Sequence, residues 1–293
     1  MMRIAGMVAA LAAVCAGATV EELLEAKLSA KLAEVEERTS GVMGYAIIDL
    51  TTGRILSRNG DTAFPQASSI KIPIMMTVFN QAREGRLKLT DRVELTSADS
   101  VGGSGHLRLL LRTRPLSVTV EELVTAMIET SDNAATNKLI ALIGMDRVNA
   151  LLDRTGFRQT RLRRIMLDAS AAERNDENIS TPMEMARIAE LIYRGKAVDA
   201  DASSRMTEIL KMVSADFRAA IPGSVAVASK PGELTGVRAE TGIVYVSGRP
   251  FVLSVCAAFL TEPENPIGRA AKAVYDHFAK LARSNRYGNG GVR

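Results

Sequence analysis

The sequence predicts a mixed α/β (α+β) fold, in which both ends of the chain build one antiparallel sheet and an all-helical lobe is inserted between them. β-Branched, strand-like segments occur toward the two ends of the chain, whereas the middle carries apolar residues at helical spacing. The chain has 293 residues, of which 47% are apolar, and this is enough for a sizeable core. A single globular domain is therefore expected.

The elements of the α/β lobe come from both chain ends. Near the start, a helix is predicted over 20–38, and strands over 43–50 and 54–58 are joined by a turn at Thr52-Gly53. Near the end, strands are predicted over 225–229, 239–247 and 251–259, and a helix over 266–283. The first and last helices are expected to flank the sheet.

The middle of the chain supplies the helical lobe. Its predicted helices cover 70–84, 119–129, 133–142, 145–155, 181–194 and 206–213. The domain is expected to span 19–284, with an α/β lobe of about 19–64 and 214–284 and a helical lobe of about 65–213. The Gly-rich end over 285–293 is expected to be a flexible tail.

The N-terminus has the pattern of a secretory leader. Arg3 precedes an apolar stretch over 4–18 that ends in Ala16-Gly17-Ala18, the small-residue pattern of a signal-peptidase site. This predicts a signal peptide over 1–18 and a periplasmic or secreted protein. The alternative is that these residues form the first turn of an apolar helix, or follow a misassigned start codon.

Composition argues against several classes of function. The net charge is +4, and Lys and Arg form no dense run with interleaved aromatics, so no nucleic-acid partner is expected. No later segment is apolar for long enough to predict stable membrane insertion. Two His cannot build a metal site without carboxylates, and we expect no metal, no cofactor and a monomer. Cys15 would leave with the leader, and Cys256 is expected to be a buried, unpaired thiol.

Three short motifs carry candidate chemistry. In Ser68-Ser69-Ile70-Lys71, a serine and a lysine three residues apart lie on one face of a helix, so a neutral Lys71 can take the proton of Ser68. In Ser131-Asp132-Asn133, between two predicted helices, Ser131 can relay a proton and Asn133 can hold a substrate amide. Taken alone, the first motif is better explained by helix capping with a solvated lysine, and the second by a helix cap.

The third motif is Lys230-Pro231-Gly232, predicted at the end of the strand that begins at Val225. Lys230 can bind a substrate carboxylate, and Gly232 lets a substrate backbone run close to the strand. An exposed lysine before a Pro-Gly turn is the alternative.

In this order and context, the three motifs resemble the S-x-x-K, S-D-N and K-T-G set of class A β-lactamases and penicillin-binding proteins. The resemblance implies an active site between the two lobes that takes a small-molecule β-lactam or other acyl substrate. Ser68 would form an acyl-enzyme, Lys71 would act as its base, Ser131 would protonate the departing nitrogen, and Asn133 would contact the side-chain amide. Lys230 would bind the substrate carboxylate, and the backbone N–H groups of Ser68 and Glu233 would form the oxyanion hole.

The sequence departs from the family pattern in two places. Pro231 lacks the hydroxyl that holds the substrate carboxylate in K-T-G, and Thr235 or Arg238 is a candidate to replace it. The glutamate that activates the deacylating water in class A enzymes is also missing, with Ile165 near its expected place. Asp168 is a candidate replacement, and the alternative is that it pairs with a neighbouring arginine to fix the loop. A D-alanyl-D-alanine peptidase, an esterase or a penicillin-binding sensor therefore remain alternatives.

Overall fold

The computed structural model describes residues 18–290, so the predicted leader lies outside the described residues except for Ala18. The strands are, in chain order, β1 (Val42–Asp49), β2 (Ile55–Arg58), β3 (Phe64–Pro65), β4 (Arg92–Leu95), β5 (Leu116–Thr119), β6 (Ile179–Ser180), β7 (Val227–Leu234), β8 (Val237–Val244) and β9 (Phe251–Ala258). The helices are α1 (Val20–Glu37), α2 (Lys71–Arg83), α3 (Leu107–Leu110), α4 (Val120–Glu129), α5 (Asn133–Ile143), α6 (Met145–Arg154), α7 (Ala169–Glu173), α8 (Pro182–Tyr193), α9 (Ala200–Lys211), α10 (Asp216–Ala220) and α11 (Ile267–Ala282).

The predicted fold class is confirmed. Five strands form one antiparallel sheet in the order β2-β1-β9-β8-β7, which joins the first two strands of the chain to the last three. One face of this sheet is covered by α1 and α11 through a core that contains Leu28, Leu32, Val274 and Phe278. The opposite face packs on α8 and continues into the core of the helices between β2 and β7. These helices therefore share one interior with the sheet.

The predicted end of the strand that carries Lys230 was wrong. The strand that begins near Val225 does not end at Lys230, because β7 continues through Pro231 and Gly232 to Leu234. A proline removes a backbone donor and is tolerated only at the margin of a sheet, and β7 is the last strand in the sheet order. Lys230 therefore lies in the middle of an edge strand, with regular sheet geometry on both sides of it.

Several short elements had no counterpart in the prediction. The paired segments β3 with β6 and β4 with β5, and the helices α3, α7 and α10, have two to five residues each. Segments this short contain too few repeats of the helical period of 3.6 residues or of the strand period of two, so periodicity does not identify them. The helix predicted over 206–213 begins earlier, at Ala200, where Asp199 caps it by accepting from the Ala202 N–H at 2.8 Å.

Between residues 18 and 290, none of the helices is both long enough and apolar enough to cross a bilayer.

Candidate active site

Ser68 lies in a single 3₁₀ turn, Ala67–Ile70, that leads directly into α2. The residue before it, Ala67, has a left-handed φ of 45°, which side chains with a Cβ rarely adopt. Ser68 is half-buried, and the rest of the turn is buried. A strained backbone that presents one partly accessible hydroxyl at the start of a buried helix is typical of a functional position.

Lys71 is completely buried, with 0% of its surface exposed. Its Nζ lies 2.8 Å from the Ser131 carbonyl oxygen, 3.0 Å from Ser131 Oγ and 3.0 Å from Asn133 Oδ1. The carbonyl and amide oxygens only accept, so a neutral amine can donate to both, and its lone pair is then free to take a proton. Burial, and then the charge of Lys230, hold the pKa of Lys71 well below its usual value, and Asp132 opposes this only in part.

The loop before α5 brings its three motif residues to this lysine. Ser131 has a left-handed φ of 57°. Asp132, which is buried, caps α5 through the Ala135 N–H at 2.9 Å and accepts from the Leu107 N–H at 2.9 Å. Asn133 donates its amide N–H to the Gly102 carbonyl at 3.1 Å. Asp132 and Asn133 therefore fasten the segment before α3 to the loop that holds Ser131 over Lys71.

The third motif lies against the Ser68 turn. A Cβ placed on Gly232 would lie 2.9 Å from Ser68 N and 2.8 Å from Ser69 N, and nearer still to the Gln66 carbonyl oxygen. The Ser69 hydroxyl also donates to the Lys230 carbonyl at 3.2 Å. β7 and the turn are therefore in direct backbone contact, which brings the two predicted oxyanion donors, the N–H groups of Ser68 and Glu233, onto neighbouring segments.

Lys230 is 1% exposed, and its Nζ donates to the Pro231 carbonyl at 3.3 Å. Burial lowers the pKa of Lys230 to about 7, against the attraction of the Glu240 carboxylate. Burial likewise raises the pKa of Glu240 to about 7. Glu240 was not among the predicted site residues. Its position inside the apolar strand β8 was the sequence feature that indicates a buried, partnered acid, because Glu is almost never fully buried without a partner.

Thr235 and Arg238, the candidates to replace the hydroxyl missing at Pro231, are placed differently from each other. Thr235 lies in the hairpin turn between β7 and β8, beside an apolar groove of about 720 Å³ that Phe64 and Phe259 also line. Arg238 is buried and already paired, with Glu262 at 2.7 Å and Glu233 at 3.1 Å. Its guanidinium is therefore largely occupied within the protein.

Two carboxylates of the segment 161–178, those of Asp168 and Glu177, help to hold that segment together. Asp168 caps α7 by accepting from the Ala171 N–H at 3.0 Å. Glu177, and not Asp168, is the carboxylate paired with Arg164, at 2.8 Å. The ion pair with an arginine that was expected for Asp168 is thus formed by Glu177 instead, and the Asp168 side chain forms a helix cap.

Within this segment, Met166, the residue after Ile165, is held against α5. The Asn137 side chain accepts from the Met166 N–H at 2.7 Å and donates to the Met166 carbonyl at 3.1 Å. Leu167 follows with a left-handed φ of 59°, and its Cδ1 lies 3.3 Å from where a Cβ on Gly103 would be. Ile165 is 40% exposed. The clamp therefore presents apolar side chains where the family pattern has a glutamate.

Acylation of Ser68 by an uncharged ester is expected to slow as the pH falls, because protonated Lys71 cannot accept a proton. Since the pKa of Lys71 is held well below its usual 10.5, the acidic limb of the rate profile should also lie well below that value. The measurement is the second-order acylation rate between about pH 5 and pH 10. Lys138→Met, which removes a lysine paired with Asp99, should leave the limb in place. An acidic limb near pH 10.5 would contradict the assignment of Lys71 as the base.

The fold and site together define an active-site serine hydrolase: a serine at a helix start, a buried lysine of lowered pKa one turn away, and a second serine hydrogen-bonded to that lysine. Comparison with known proteins identifies the family within this class of hydrolases. The model of the beta-lactamase enzyme family matches residues 27–278, so the chain belongs to that family and is a serine β-lactamase-like hydrolase.

Individual relatives agree with this assignment. The chain is 28% identical over 269 residues to β-lactamase CTX-M-8 of Citrobacter amalonaticus, covering 85% of this chain and 88% of that protein. It also matches the crystal structure of a β-lactamase from Sphaerobacter thermophilus, with 30% identity, a TM-score of 0.77 and coverage of 88% and 97% of the two chains. An ancestral class A β-lactamase structure matches with 27% identity, a TM-score of 0.76 and coverage of 86% and 98%.

Proposed function

We propose that this hydrolase forms an acyl-enzyme on Ser68 with β-lactams and releases the acyl group slowly. The single observation that carries the proposal is the buried Lys71, hydrogen-bonded to Ser131 at 3.0 Å, one turn from a half-buried serine. These groups supply a base and a proton relay for acylation. In the segment 161–178, Asp168 caps α7 and Glu177 is paired with Arg164, so neither is held as a base for the second half of the reaction.

The acylation step follows from the hydrogen bonds around Lys71. Ser68 Oγ attacks the lactam carbonyl, and neutral Lys71 receives the proton of Ser68. The backbone N–H groups of Ser68 and Glu233 stabilise the oxyanion. The Ser131 hydroxyl, which already contacts Lys71 Nζ, gives its proton to the departing lactam nitrogen as the C–N bond breaks, and takes in its place the proton held by Lys71. The proton lost by Ser68 thus ends on the nitrogen, and Lys71 returns to its neutral form.

Slow release follows from the apolar surface of the loop. Hydrolysis of the ester needs a water deprotonated beside it, and general-base catalysis of such a step contributes roughly 10²–10⁴-fold. Met166 and Leu167 offer no proton acceptor, and Asp168 is occupied as a helix cap. This supports slow deacylation. A D-alanyl-D-alanine peptidase, an esterase or a penicillin sensor uses the same first step, and the lifetime of the adduct distinguishes them from a fast β-lactamase.

The test is intact-protein mass spectrometry after a penicillin is added, followed by peptide mapping. The expected result is one stoichiometric adduct on Ser68 that decays over minutes or longer after excess penicillin is removed. Rapid turnover of nitrocefin without a detectable adduct would contradict slow release. The absence of any adduct or turnover would contradict the acylation step itself.

Asp168→Asn is the matched variant for the loop. Asparagine caps a helix as well as aspartate does, so α7 should be retained while the only basic function of this side chain is removed. The lifetime of the adduct is expected to stay unchanged. An increase of about tenfold or more would identify Asp168 as the water-activating base.

We also propose that the protein is exported to the periplasm or secreted. The charged, apolar and small-residue pattern over 1–18 supports this. N-terminal sequencing of the protein recovered from the native host tests it, since a mature chain that starts close to Val20 is expected.

A further inference from the structure

The region of β7 and β8 beyond Lys230 is unusually acidic for a site that is expected to take anionic substrates. Pro231 pairs with Glu240 across the two strands, and Glu233 pairs with Arg238. Residues paired in this way, and those two apart along one strand, share a face of the sheet. Glu233, Arg238 and Glu240 therefore lie on the same face as Pro231. Gly232, which lies between Pro231 and Glu233, points to the opposite face and contacts the Ser68 turn there, so Pro231 and Glu233 flank that contact along the edge strand.

Glu240 is held rigidly in this face. It is completely buried, and its carboxylate accepts from Ser229 Oγ at 2.7 Å and from the Phe217 N–H at 3.1 Å. Both partners are donors, so they favour the ionised acid, although burial has the larger effect and raises the pKa of Glu240 to about 7. The positive charge that opposes this rise is that of Lys230, whose side chain starts on the opposite face of the strand. Glu240 thus offsets the lysine that would otherwise attract an anion.

Arg238 does not restore a positive field. Its guanidinium is shared between Glu262 and Glu233, and it also donates to the carbonyls of Leu234 and Val237 at 2.9 Å. Two carboxylates therefore surround one arginine, which leaves one negative charge in excess. Lys230 and Glu240 together add no net charge when both are ionised or both are neutral. The five groups together are net negative.

We propose that the acyl donor of Ser68 carries no carboxylate on the group that lies along β7, and that this group is uncharged or cationic. The inference rests on the proposed acylation of Ser68 and names the class of substrate for that site. An anionic group at Pro231 would find no hydroxyl there and would lie close to the exposed Glu233. The buried Glu240, paired with Pro231 across the sheet, would repel it through space while Arg238 is already paired. A neutral ester or amide, or a cationic donor, avoids this repulsion.

The experiment compares benzylpenicillin with its methyl ester and its primary amide, by the second-order rate of adduct formation on the full-length protein near neutral pH. The neutral compounds are expected to acylate Ser68 at least as fast as the acid. Glu233→Gln and Glu240→Gln should each speed acylation by the acid about 3- to 10-fold, the size expected for one charge removed at close range in a partly buried site. The ratio of the acid's rate to that of the neutral compounds should rise by this factor in each variant, because any effect on the oxyanion donor at Glu233 is common to all three compounds and cancels in the ratio.

Two controls keep the outcomes distinct. Glu94→Gln removes an exposed glutamate from β4 and should change neither rate. Glu233 is 72% exposed in its side chain, so its variant tests the idea even if the buried Glu240→Gln does not fold. Acylation at least tenfold faster by the acid than by the ester would overturn the inference while leaving acylation at Ser68 intact. Failure of all three compounds to form an adduct would overturn the proposed function instead.

Discussion

Ser68→Ala is expected to abolish covalent labelling by penicillin completely, while leaving the fold and its thermal stability close to those of the parent. Ser68 Oγ is the atom that would form the new bond, and no compensating nucleophile lies on its turn, because the neighbouring Ser69 is buried and donates to the Lys230 carbonyl. Removing one half-buried hydroxyl leaves Lys71 with its three partners on Ser131 and Asn133.

Labelling is measured by intact mass and by competition with a fluorescent penicillin. Ser170→Ala is the matched control, since Ser170 is an exposed serine on α7 and its loss should leave labelling unchanged. A Ser68→Ala protein that still acquires one acyl group would disprove the assignment of the nucleophile, and with it the role of Lys71 as the base.

Gly232→Ala is expected to slow acylation on the order of 100-fold or more, because a displacement of about 1 Å at a reacting group has costs of this size. The added Cβ would lie 2.9 Å from Ser68 N and 2.8 Å from Ser69 N. Backbone atoms cannot move aside as the end of a flexible side chain can. Either β7 or the Ser68 turn must shift, and the nucleophile and the two oxyanion donors then lose their alignment.

The measurement is the acylation rate at saturating and limiting penicillin, together with the thermal midpoint. Gly223→Ala is the matched control, because a Cβ there meets nothing within 4 Å and the change should leave the rate unaffected. If Gly232→Ala acylates at the parental rate, β7 is not held against the Ser68 turn in the way the structure describes.

Much of this architecture was predictable from the sequence because it depends on local pattern. The periodicity of helices such as α4 and α5, and the strand composition of β1 and β9, fixed the α/β class and the joining of the two chain ends in one sheet. Short elements such as β6 and α10 escaped prediction, since two to five residues carry too little periodic signal.

The roles of individual polar side chains were much less predictable, because they depend on which partners the fold brings close. Arg238 was a candidate for binding a carboxylate, but it is paired with Glu262, which lies 24 residues further along the chain. Asp168 was a candidate base, and its carboxylate caps α7. Glu240 was not considered, although it lies opposite Pro231 across the sheet.

The family is recognisable from the amino-acid sequence alone, through three motifs whose residue types and order are kept in Ser68, Lys71, Ser131 and Lys230. This is possible because each motif is local: a serine and a lysine one turn apart need no distant contact to be recognised. The electrostatics of the site, by contrast, become apparent only in the folded protein. Folding brings together the segments that bury Lys71 and lower its pKa, that pair Arg238 with Glu262, and that place Glu240 beside Pro231. The physical reason is that charge interactions depend on distance and burial rather than on position in the chain.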